Sequence, residues 1–178
     1  MKGKEHILLG AFISIFLTLP AFALFTPVKG ITAAEIVRVA VSPFDASHLY
    51  AASDNALYER KGSSPFQKIA NFKDEQVQHI FFDPYLAGRL YIATSRHLYQ
   101  MKGDLEKLFT AQDEETIHTA AKYNGMLYVG TSEGLHQARE DIITWQKSPS
   151  IVNTAVYSID GAGGNIYLAA DDGVYELV

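Results

Sequence analysis

The chain has 178 residues, no cysteine, 15 Lys and Arg against 20 Asp and Glu, and a formal charge of −5. Without cysteine there is no thiol catalysis, zinc–thiolate site, iron–sulfur cluster or cysteine-linked lipoprotein anchor. The acidic balance supplies no basic footprint for nucleic acid.

The first predicted element is an export signal. Lys2 and Lys4 precede an apolar run from Ile7 to Leu19, followed by Pro20 and Ala21-Phe22-Ala23. A charged start, an apolar stretch of that length and an A-x-A site predict a signal peptide, residues 1–23, cleaved after Ala23. The rival is an uncleaved anchor over the 19 residues Ile7–Phe25. Against it stand Ser14, Thr18 and the helix-breaking Pro20. Cleavage removes two bases and one acid, leaving 13 against 19 in a mature domain of 155 residues (178 minus 23), residues 24–178. Such a domain is expected in the periplasm or outside the cell, and it is long enough to fold without disulfides.

Phe25-Thr26-Pro27-Val28 comes next. Phe25 lies 11 residues before Ile36, just as Phe66 precedes Val77 and Trp145 precedes Val156. The segment therefore has the register of an outer strand and is predicted to close a ring by pairing with Val174–Leu177. Pro27 suits an edge strand; an unpaired tail is the alternative.

Four repeats follow, near residues 36–72, 77–111, 117–150 and 156–178. Each opens with a short strand: Ile36-Val37-Arg38-Val39, Val77-Gln78-His79-Ile80, Ile117-His118-Thr119-Ala120 and Val156-Tyr157-Ser158-Ile159. A second strand carries the recurring phrase Leu49-Tyr50-Ala51-Ala52-Ser53, Leu90-Tyr91-Ile92-Ala93-Thr94, Leu127-Tyr128-Val129-Gly130-Thr131 and Ile166-Tyr167-Leu168-Ala169-Ala170, at spacings of 41, 37 and 39 residues. It is apolar on both faces, as a sheet packed between two neighbouring sheets requires. Tight turns rich in Asp, Asn, Ser and Gly lead to a third strand at Leu57-Tyr58, Leu98-Tyr99, Leu135-His136 and Val174-Tyr175. A weaker fourth strand lies at Phe66, Leu105 and Trp145, and repeat four lacks one. A period near 40 built from short strands predicts an all-β fold, a β-propeller of about four blades. A ring closed within one chain is the leading expectation; an eight-blade ring from two chains and an open fragment are the others.

The phrase Asp83-Pro84-x5-Leu90-Tyr91-Ile92-Ala93-Thr94 and its echo Ser42-Pro43-x5-Leu49-Tyr50-Ala51-Ala52-Ser53 resemble the BNR/Asp-box repeat. That repeat builds sialidase-like, sortilin-type and photosystem II assembly-factor-type propellers. Leu127 to Leu135 and Thr144-Trp145 are similar to the same pattern, so the resemblance covers residues 36–178. It departs from the family at the Asp box itself. Where the family has Ser/Thr-x-Asp-x-Gly-x-Thr-Trp, this chain has Ala138-Arg139-Glu140-Asp141-Ile142-Ile143-Thr144-Trp145. Sialidase chemistry would imply an arginine cluster. Arg38, Arg60, Arg89, Arg96 and Arg139 fall on different parts of the blades.

In a propeller the loops between blades and the turns between second and third strands share one rim. On it fall Asp54, Asp74, Glu75, Asp113, Glu114, Glu115, Glu133, Asp171 and Asp172, with Lys73 and Arg96 as cations. This predicts a docking rim for a basic partner or a cation; the bland reading is solvation of exposed loops. Arg38, His79 and His118 are placed on first strands lining the central channel. Paired histidines could titrate or bind a metal there, or simply face channel water. The recurring tyrosines are expected in the packing between blades.

No catalytic motif emerges, and no cofactor or metal is expected. The expected function is an exported, non-catalytic binding or assembly-scaffold module that recognises another protein through its loop face, as a monomer or homodimer. No membrane span is expected once the leader is removed. The alternative is a glycan- or small-molecule-processing enzyme of the sialidase-like type, acting in the channel.

Overall fold

The structure, a computed structural model, describes Val28, Gly30, Ile31 and residues 35–162 and 164–177. These residues form 15 strands in four antiparallel sheets. Blade 1 holds β1 (Arg38–Val41), β2 (His48–Ala52), β3 (Ala56–Lys61) and β4 (Gln67–Asn71). Blade 2 holds β5 (Val77–Phe82), β6 (Leu90–Thr94), β7 (His97–Lys102) and β8 (Asp104–Thr110). Blade 3 holds β9 (Ile117–Tyr123), β10 (Met126–Thr131), β11 (Gly134–Arg139) and β12 (Gln146–Val152). Blade 4 holds β13 (Val156–Ala162), β14 (Asn165–Ala170) and β15 (Gly173–Leu177). Strands pair in chain order within each blade, and β1, β5, β9 and β13 adjoin in succession along the inner side.

Local chemistry accounts for this architecture. Asn124 and Gly125, both at positive φ (49° and 75°), make the two-residue hairpin that joins β9 to β10. The doubly apolar second strands become the middle of each sandwich of sheets. Leu57, Leu98 and Leu135 are buried from the front, and Leu90, Ile92, Leu127, Val129, Ile166 and Leu168 from the back. Three buried clusters fill the junctions between blades 1 and 2, 2 and 3, and 3 and 4. Gly130 is forced by close approach: a Cβ there would lie 2.8 Å from Thr119 Cγ2, Val156 Cγ1 and Val156 O.

Among the described residues the ring expected to close within one chain does not close. Among the described residues no buried cluster joins blade 4 to blade 1. The sheets form an open arc. The predicted seam strand, Phe25–Val28, lies outside the described residues except for Val28, which is exposed. Gly30, two residues further on, packs against the backbone of Phe66, just before blade 1's own outer strand. Among the described residues no helix is long and apolar enough to cross a membrane.

Candidate functional site

The rim is assembled by backbone hydrogen bonds. Each turn between second and third strands is bonded to a loop between blades, the one entering the next blade at Asp54 and Ser95 and the one entering its own blade at Ser132 and Asp171. The bonds are Val77 N–H to Asp54 O (2.5 Å), Ile117 N–H to Ser95 O (2.9 Å), Ser132 N–H to Thr116 O (2.8 Å) and Asp171 N–H to Ala155 O (3.1 Å). These bonds bring the predicted acidic residues to one side of the arc. Asp54, Asp74, Asp113, Glu114, Glu133, Asp171 and Asp172 are all exposed there. Asp74 and Asp113 hold positive φ (60° and 35°), which short Asp side chains tolerate in turns.

Glu75 and Glu115 do not belong with them, and the expectation that they present free carboxylates is corrected. Both turn inward and tie one blade to the next strand pair. Glu115 Oε1 accepts from Thr131 Oγ1 (2.7 Å) and meets His136 Nε2 at 2.7 Å, while Oε2 accepts from the Gln112 N–H (3.2 Å). Glu75 is bonded to Thr94 Oγ1, His97 Nδ1 (2.9 Å) and Tyr99 Oη (3.4 Å). Burial works against ionisation of both groups. The bonds from Thr131 and His136, and from Thr94 and His97, outweigh it and hold both carboxyls below their ordinary value. His136 stands where the other third strands have tyrosine, and it meets Glu115 as Tyr99 meets the equivalent acid, Glu75, one blade earlier.

Of the two rim cations, Lys73 is exposed and Arg96 is committed. Arg96 donates to the carbonyls of Asp113, Glu115 (3.2 Å) and Ala111 (3.4 Å), clamping the loop from below.

Arg38, His79 and His118 line one inner cleft of about 540 Å³, together with Lys122, Tyr157 and Asp160. Strand register puts Arg38, His79, Thr119 and Ser158 at equivalent places, opposite Ala52, Ala93, Gly130 and Ala169. Arg38 Nε donates to Gln78 O (2.5 Å), and His79 Nδ1 lies 2.9 Å from Ala120 O, so each latches its blade to the next inner strand. His118 is one position out of phase and packs against Tyr157, the rings tilted with centroids 5.0 Å apart. Burial lowers the pKa of both histidines, partly opposed by the Ala120 carbonyl at His79 and by Asp171 at His118. Among the described residues no group of three or more His, Asp or Glu side chains is gathered to hold a metal.

One cluster escaped the sequence reading. Between blades 2 and 3, fully buried Asp83 meets Lys122 Nζ at 2.6 Å, and Lys122 also meets Glu140 Oε2 at 2.6 Å. Arg89 pairs with Glu140 and stands 3.6 Å from Asp83. Asp83 additionally caps the N–H groups of Tyr85 (2.9 Å) and Leu86 (3.1 Å). Asp83-Pro84 announced the turn, but nothing local marked Lys122, a lysine in an otherwise ordinary inner strand.

No family model and no curated protein matches the sequence. Solved structures do match, and they define the class: an all-β propeller. The extracellular domain of a two-component system protein from B. thetaiotaomicron superposes with a TM-score of 0.66 at 14% identity, over 80% of this chain and 20% of that one. YCF48 bound to D1 peptide gives 0.58 at 15% identity, over 78% and 49%. A catalytically inactive virginiamycin B lyase from Staphylococcus aureus with quinupristin gives 0.65 at 10% identity, over 82% and 52%. The chain thus spans about a fifth of the first of these and about half of the other two.

Proposed function

We propose that this chain is an exported β-propeller module that binds another protein through its acidic rim, without catalysis. The observation that carries the reading is the set of seven exposed carboxylates gathered on one side of the arc, against which stand only two cations of the same loops, Lys73 and Arg96, the latter spent on backbone carbonyls. Such a rim attracts a basic segment and accelerates its encounter. The charged, apolar and A-x-A stretches of residues 1–23 support export to the periplasm or beyond. The neighbour from B. thetaiotaomicron, an extracellular domain, is in keeping with that address. The peptide bound to YCF48 supports a polypeptide as the ligand class. The Asp83-Pro84-x5-Leu90-Tyr91 phrase and its echo at Ser42-Pro43 support kinship with the BNR-type repeat.

The test is affinity capture from the envelope of the exporting cell, with the protein and a variant carrying Asp113→Lys, Glu114→Lys, Asp171→Lys and Asp172→Lys. Glu75 and Glu115 stay intact because they hold the blades together. The expected result is a partner whose binding weakens at least ~10-fold in the variant and falls with added salt. Equal capture by both would refute the rim. The second reading, small-molecule chemistry in the channel, rests on the cleft that Arg38, His79 and His118 share. It predicts turnover of a glycoside or small substrate that Arg38→Ala, His79→Ala or His118→Ala abolishes.

A further inference from the structure

Repeat equivalence makes each end of the arc legible. Three times within the chain, the front face of one blade is covered by the back face of the next. The front position held by Leu57, Leu98 and Leu135 is 0% exposed in each, whereas its equivalent in blade 4, Val174, is 76% exposed. Tyr50, Tyr91 and Tyr128 are buried at 6%, 0% and 4%, but Tyr167 is 42% exposed. The other end shows the same condition along its inner strand, although the small Ala51 beside it on the second strand stays buried. The back position held by Ile80, Ala120 and Ile159 is buried, and its equivalent in blade 1, Val39, is 60% exposed. Val41, which stands where blade 2 has Phe82, is also exposed. The molecule therefore presents one unused front and one unused back, the two halves of a junction it builds three times elsewhere.

We propose that a second copy of this chain covers both, blade 4 of each copy seated on blade 1 of the other, in a two-fold ring of eight blades.

Four observations name that occupant. What covers such a front in every interior case is the back of a blade, and the unmatched back belongs to this chain. Two copies yield two identical junctions and leave neither face unmatched, the condition for a closed symmetric assembly. The arc superposes on 49% and 52% of two propeller chains, so two arcs supply the amount of chain those propellers hold.

Charge agrees as well. In the first junction Glu59, which accepts from Tyr50 Oη, shares a cleft with Met101 of the next blade. The equivalent of Glu59 in blade 4 is Glu176, which already accepts from Tyr167 Oη at 3.2 Å. The equivalent of Met101 in blade 1 is Arg60. Docking by the interior geometry thus sets Arg60 of one copy beside Glu176 of the other. The rim lies on a different side of the blades and stays free, so this inference stands apart from the rim's ligand.

The experiment is sedimentation velocity of the purified protein at about 10 µM. The expected mass is that of two chains. Val174→Asp and Val39→Asp should each give a folded monomer, with the dissociation constant raised at least ~100-fold, because each buries an unpaired carboxylate. Mixing the two variants should restore dimers in part, since one of the two junctions in the mixed pair is then wild type. Arg60→Glu and Glu176→Arg should each weaken the dimer and together recover it. Far-UV circular dichroism checks that each variant keeps its strands. A wild-type monomer would overturn the proposal, since the faces would then be covered from within the chain or not at all. Longer open assemblies, or dimers indifferent to both aspartates, would overturn it as well.

Discussion

At the junction of blades 1 and 2, Tyr50 packs on Phe82 with ring centroids 5.5 Å apart, and Glu59 binds Tyr50 Oη (2.6 Å) and His48 Nε2 (2.9 Å). One blade on, Tyr91 takes the place of Tyr50, but Lys122 stands where Phe82 stood and Arg89 where His48 stood. The same backbone register therefore encloses an aromatic contact in one junction and a four-membered charge network in the next. Burying Lys122 is tolerable only because Asp83 and Glu140 both reach its ammonium. The repeat dictates where side chains meet; neighbouring loops dictate what chemistry is admissible there.

The comparison breaks most visibly at Asp83. Asp83→Ala leaves Lys122 buried with one partner fewer and uncaps the Tyr85 turn, and is expected to cost about 4 kcal/mol in urea denaturation. The double change Asp83→Asn with Lys122→Met keeps the cap acceptor and removes the buried Lys122–Asp83 pair while Arg89 keeps Glu140, so it should stay within about 1 kcal/mol of wild type. A double variant as damaged as Asp83→Ala would show that the charges are required in their own right.

Leu98 occupies the same place in the charged junction as Leu57 in the aromatic one, and both are fully buried. Leu98→Ala and Leu57→Ala should each cost about 3 kcal/mol, equal within error if packing alone sets the value. Unequal losses would locate extra slack in one junction. Gly130→Ala should cost about 2 kcal/mol by melting temperature, because its methyl group meets Val156 backbone as well as side chains, which cannot all withdraw. The equivalent Ala93 already carries that methyl, fully buried.

The smallest effect is at the junction acids. Glu115→Gln keeps the shape but loses the charge-assisted bonds from Thr131 and His136, at about 1.5 kcal/mol. The pH dependence follows from the direction of the shift. The carboxyls of Glu75 and Glu115 titrate below their ordinary 4.5 in the folded chain, so their stabilisation is complete above that value. It is lost as pH falls below 4.5 toward the folded pKa. A urea midpoint series should therefore decline on acidification below 4.5, less steeply in Glu115→Gln.

The Leu-Tyr phrase, its period and the turn residues made the strands legible, because period-2 burial and positive-φ turns are local properties. Strand edges moved by a residue or two: the first strand of blade 1 is Arg38–Val41 and not Ile36–Val39. Bulges in the first strands of blades 2, 3 and 4 shift the pairing after their opening residues, and Arg38 and His79 fall in one register with His118 out of phase. The grouping of rim acids followed from topology, since every turn of one kind must emerge on one side. Which of those acids are free did not follow: Glu75 and Glu115 are sequence neighbours of Asp74 and Glu114 but point the other way. Lys122 was silent because a strand position reveals its face and not its partners.

By itself, then, the sequence determined four similar blades, their strand order and the rim on which acids collect, because these depend on short-range patterning repeated along the chain. Only the tertiary structure decided which carboxylates are spent inside junctions, where buried charge is neutralised, and that the arc stays open with Val39 and Val174 bare. Those outcomes depend on which blade lies beside which, at separations of some 40 residues and more, where no local pattern carries the information.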